Sequence, residues 1–149
     1  LIAPGSATQS VRNLLVNTQK HSIPMDTLFK TEFDAMQLRA FTINVDNGWW
    51  NNRDLLMQSN IPSATQNVAL ACLNLVNSEV AEASEAVRRH PITDWGKHRV
   101  KDTLVRELAG TVIRCMDLAQ RFSLPLSEAI IEELENNKTR GQLHGGKSA

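Results

Sequence analysis

Apolar residues recur along this chain at helical spacing, and no alternation of period two persists long enough to mark a strand. Val11, Leu14, Leu15 and Thr18 predict a short first helix. It should stop ahead of Pro24, because the residue before a proline is pushed out of the helical region. Phe29, Phe33, Met36, Ala40 and Ile43 form one apolar line and predict a second helix over about residues 26–45, broken by Asn47-Gly48. Residues 49–63 read as a connector with one short helical turn. Ser63, after Pro62, is the expected N-cap of a long third helix reaching Arg89, which His90-Pro91 ends. Thr93 or Asp94 should cap a fourth helix running to about Phe122, with the apolar line Val100, Leu104, Leu108, Thr111, Cys115, Leu118 and Phe122. A last helix from Leu126 or Ser127 to about Lys138 carries Ala129, Ile130 and Leu134.

Four to five helices with short connectors define an all-α helical bundle, and 149 residues suffice for a single domain around one core. The helices show no fixed repeat, which argues against a solenoid. Sixteen basic residues balance sixteen acidic ones, so the backbone of a polymeric nucleic acid is disfavoured as partner, while a small charged ligand needs only a local patch. Cys72 and Cys115 lie far apart in apolar helical stretches, without metal-type spacing, and read as reduced core residues of a reducing compartment. No apolar run approaches the roughly 20 residues of a membrane span. The opening LIAPGSATQS lacks a basic start and a long apolar centre, so it is not read as a signal peptide. The expected location is the cytoplasm.

The chemistry lies in the acids. In LVNSEVAEASEAVRRH, residues 75–90, Glu79 and Glu82 share a helix side with Leu75, Val76, Ala83 and Ala86. Spacing of three puts their Cβ atoms about 5–6 Å apart, and like charges that close repel more strongly as they are buried. Glu107 flanks the apolar line of the next helix in the same way, so two facing helices would bring three carboxylates toward one point. Hard carboxylate oxygens suit Mg²⁺ or Mn²⁺ shared with substrate phosphates. Glu85 is rotated about 60° beyond Glu82, and so about 120° from Glu79, on ideal helix geometry, nearer the solvated edge, as an outer ligand. The competing reading makes the same acids partners for Arg88, Arg89 and Arg114, or a solvated face.

GWWNNRD, then VALACLNLVNSEVAEASEAVRRH, then ELAGTVIRCMDLAQRFSLPLSEAIIEELENNKTRGQLHGGK together resemble the MazG-like all-α nucleoside triphosphate pyrophosphohydrolases over roughly residues 45–147. The resemblance implies a bundle completed by homodimer or homotetramer formation, and Mg²⁺-dependent cleavage of an NTP or dNTP to the monophosphate and pyrophosphate. Glu79 and Glu82 match the family's first metal-binding pair and Glu107 the glutamate of the second. Asp117 matches a separate family aspartate, structural or in contact with the ligand. Asn137, Lys138, Arg140, His144 and Lys147 fall on the C-terminal polar segment, whose basic groups are expected on the triphosphate. Composition alone reads that Gly-rich tail as a disordered end. Trp49 and Trp50 either stack on the base or plug the bundle end or a subunit interface. Glu82 or Glu85 is expected to orient or deprotonate the attacking water. Residues 1–44 lie outside the resemblance and are expected to supply helical packing.

The family pattern is broken in its second acidic segment. Its second acidic pair ends in an aspartate that falls here on Gly110, and the glutamate that often precedes Glu107 is Arg106. That departure supports an alternative reading, a non-catalytic or weakened relative serving as a nucleotide-binding or protein-interaction module.

Overall fold

The computed structural model describes residues 23–139, and these form five α-helices with no strand among them. They are α1 (Met25–Asp46), α2 (Asn51–Met57), α3 (Ala64–Arg89), α4 (Leu104–Arg121) and α5 (Leu126–Thr139), with a single 3₁₀ turn at Ile92–Asp94. The helix expected around Val11–Thr18 lies outside the described residues, as do Arg140, His144 and Lys147. No helix of the described residues is long and apolar enough to cross a membrane.

α4 is the central helix, packed against α3 on one side and α1 on another, while α5 rests on α1. The core forms where α2 meets α3: Trp50, Val68 and Cys72 are buried, with Phe41, Met57, Leu118 and Phe122 packed around them. Trp50 is only 2% exposed, and its indole Nε1 donates to Oδ1 of the buried Asp117 at 3.0 Å. Glycine is required at the turn that delivers it. Gly48 has φ +77°, and its N–H and that of Trp49 close the end of α1 on the carbonyls of Val45 and Asn44. The connector is more ordered than one turn, since Asn51–Met57 makes two. Asp54 of α2 ties to Arg121 of α4 at 2.7 Å.

Several sequence expectations need correction. α1 covers the predicted span, but Met36 and Ile43 of its apolar line are about half exposed. The packed face runs instead through Phe29, Phe33, Gln37, Ala40 and Phe41. Gln37 is buried, and its Nε2 donates to Oε1 of Gln120 on α4 at 3.0 Å. Ser63 does precede α3, yet its backbone is left-handed (φ +61°) and its hydroxyl caps nothing.

The fourth helix starts at Leu104, ten residues after Asp94. Gly96 and the run Lys97, His98, Arg99 and Lys101 lie in the stretch between, where positive charge opposes the dipole of a helix start. Val100 therefore belongs to a loop. Thr103, fully buried, closes that loop by donating to the carbonyls of Lys97 (3.2 Å) and Val100 (3.4 Å).

Among the described residues, none covers an apolar stripe along α3. Leu73, Val80 and Val87 repeat at intervals of seven and are 46%, 48% and 40% exposed, with Leu70 beside them. Of the cysteines, Cys72 is buried and Cys115 half-buried; neither is in a disulfide, and burial pushes both thiols up.

Candidate metal centre

The α3–α4 contact brings the three acids together. One carboxylate oxygen from each of Glu79, Glu82 and Glu107 lies within 4.8 Å of the other two. Two turns of α3 supply the first pair by their spacing of three, and the first turn of α4 supplies the third. Thr103 sets where that turn begins, because its carbonyl accepts the N–H of Glu107 at 3.1 Å.

The three carboxylates differ in surroundings. Glu82 is exposed, Glu79 half-buried, and Glu107 buried with 8% of its surface accessible. Burial is the main reason the Glu107 carboxyl is pushed above its ordinary range, and the neighbouring charges of Glu82, Glu79 and Asp102 add to the effect. Glu79 accepts from Arg114 Nε at 3.1 Å, and the Arg114 guanidinium lies 4.6 Å from the centre of the Trp49 ring. Among the described residues, no ion pair or hydrogen bond engages the side-chain carboxylates of Glu82 and Glu107.

Two cavities, of about 300 and 340 Å³, flank the trio and share Asp102 and Glu107 in their walls. Lys101, Arg106 and Gly110 line the first with Glu79; Glu85, Ala86 and Arg89 line the second with Glu82. Asp102 has a left-handed backbone (φ +57°), an arrangement that aspartate tolerates better than most residues. The donor set fits a hard divalent cation: it is all oxygen, it draws on two helices, and two of its carboxylates are paired with no cation among the described residues.

The remaining sequence-predicted residues fall into distinct places. Glu85 is held by Arg88 and Arg89, each at 2.7 Å, and hydrogen bonding from Arg88 keeps its carboxyl below the usual range. Trp49 is 40% exposed between Arg114 and Arg53, whereas Trp50 is enclosed in the core on Asp117. Asn137 and Lys138 line a different cavity at the end of α5, with Asp26, Ile131 and Leu134, and Lys138 pairs with Glu135. Sequence reasoning missed Lys101, Arg106 and Asp102 as wall residues. The signal was present in RVKDTLVRE, where charges of both signs crowd one helix start, but it reads first as a solvated face. No protein-family model matches the chain, and no curated protein or solved structure does either.

Proposed function

We propose that this protein is a Mg²⁺- or Mn²⁺-dependent nucleoside triphosphate pyrophosphohydrolase of MazG-like type, releasing a nucleoside monophosphate and pyrophosphate. The convergence of Glu79, Glu82 and Glu107 within 4.8 Å carries this reading. Like charges so placed repel in the free protein and suit a site that is completed by a cation. A bound divalent ion would supply charge neutralisation at phosphate oxygens and acidify water.

The chain's own residues do the rest. Glu82, which lines the second cavity and has no partner among the described residues, accepts the proton of the attacking water as the water oxygen bonds to phosphorus. Glu85 is the weaker candidate for that role, because two arginines already occupy its oxygens. Lys101 and Arg106 line the first cavity with Glu79 and Glu107, where they offset charge as the bond between α and β phosphates breaks toward pyrophosphate. Trp49, 40% exposed beside Arg114 and Arg53, offers a base the open part of its ring, and the exposed stripe of Leu73, Val80 and Val87 on α3 suits pairing with a second copy of the chain.

A second reading draws on the Glu79–Arg114 pair. A site whose first acid is already neutralised could bind nucleotide without turning it over. A panel of NTPs and dNTPs with Mg²⁺ or Mn²⁺, scored for monophosphate and pyrophosphate, separates the two. Turnover that Glu82→Gln abolishes supports the enzyme; nucleotide binding with no product from any substrate supports the binding module.

A further inference from the structure

Gly110 sits on α4 directly against the acid trio. A Cβ built there would lie 2.9 Å from Glu79 Cδ and closer still to its Oε2, nearer than such carbons approach any atom. The three nearest atoms outside its own helix turn all belong to Glu79. The other oxygen of the same carboxylate, Oε1, is held by Arg114, whose guanidinium is backed by the Trp49 ring. Glu79 is thus seated from two sides: a recess over glycine on one, an arginine on the other.

We propose that Gly110 and Arg114 are positioning residues for Glu79, and that the missing side chain at 110 makes the recess in which this carboxylate joins Glu82 and Glu107. The proposal rests on the metal-dependent reading above and reverses what the family pattern implies for position 110. There an aspartate would count as one more ligand. Here any side chain takes the space that Glu79 uses, so adding an acid displaces one already in place. The Glu79 carboxylate is the free end of a flexible side chain, so it moves and the helices stay. Arg114 gives the three acids one fixed positive charge, leaving a formal charge of −2 when all are ionised, which a divalent cation balances.

The test uses the full chain with Mn²⁺ alone as probe, followed by calorimetry, and with melting in EDTA as the fold control. Gly110→Ala adds no charge and improves helix propensity. It should leave the EDTA melting temperature unchanged or higher while weakening Mn²⁺ uptake about tenfold or more, the usual scale for disturbing the support of a metal ligand. Gly110→Asp should weaken it as well. Glu79→Asp withdraws the carboxylate by one methylene, so Gly110→Ala with Glu79→Asp should bind Mn²⁺ more tightly than Gly110→Ala alone. Wild-type affinity in Gly110→Ala, or tighter binding in Gly110→Asp, overturns the proposal.

Absence of Mn²⁺ uptake by the wild type, with or without a nucleoside triphosphate, would sink the metal reading instead. The recess is then judged by a metal-free cycle of Glu79→Gln and Arg114→Gln in denaturant. Coupling between the two in the otherwise wild-type chain that vanishes in the Gly110→Ala background sustains it; equal coupling in both overturns it.

Discussion

Glu107→Gln removes the most buried charge of the trio while keeping the side chain's size. At the 4.8 Å limit that separates the trio's oxygens, two unit charges repel by about 1 kcal/mol in a water-like dielectric and about 3.5 kcal/mol at an effective constant near 20. Glu82 is exposed and Glu79 is already offset by Arg114, which places the sum toward the lower end. The amide should therefore stabilise the metal-free protein by about 1–2 kcal/mol, or roughly 3–6 °C in melting temperature for a chain of this length. Adding Mn²⁺ should invert the order: the wild type gains stability by mass action and the variant gains little. Differential scanning fluorimetry of both proteins in EDTA and across a Mn²⁺ series measures this directly. A Glu107→Gln protein less stable than wild type in EDTA, with an unchanged response to Mn²⁺, would refute the idea that these acids strain the free protein and await a cation.

The same carboxyl predicts a pH effect of definite sign. Its folded-state pKa lies above the unfolded value, so the folded state keeps the proton longer. Metal-free stability should fall as pH rises from the ordinary glutamate range through the folded pKa, and urea titrations across pH 4–7 should show this component missing from Glu107→Gln. Trp50→Phe strips the buried Asp117 of its indole donor and leaves a void in the core, for a loss of about 2–4 kcal/mol in urea unfolding. A loss below about half a kcal/mol would show that Trp50 is not part of the scaffold. Val80→Asp in the middle of the α3 stripe should lower the molar mass measured by light scattering while leaving the helical circular dichroism intact; an unchanged mass argues against pairing through that stripe.

Where local pattern decided the outcome, the sequence was readable. The span of α1 between Pro24 and Gly48, the length of α3 and the site of α5 all follow from prolines, a glycine turn and apolar spacing. The meeting of Glu79, Glu82 and Glu107 was also legible, because a spacing of three on one helix and a flanking acid on the next leave few other arrangements. What was hidden depends on contacts between distant residues. Met36 and Ile43 continue the apolar line of α1 as well as any core residue does, yet the helix turns its Gln37 face to α4, where Gln120 can meet it. The late start of α4 turns on Thr103 reaching back to Lys97 and Val100, which no periodicity announces. Arg114 was among the arginines named as possible partners of the acids, but that it meets Glu79, 35 residues away, is decided by the packed helices.

The amide pair between Gln37 and Gln120 also constrains how α1 and α4 can slide. Both helices carry apolar groups along their shared seam, and grease alone tolerates several alignments of similar energy. An enclosed amide does not, since a shift of one turn would strand Gln37 without its mate. Trading both glutamines for leucines would thus be expected to raise the melting point while blurring the alignment. With it would go the alignment of every group that α4 presents on its opposite flank.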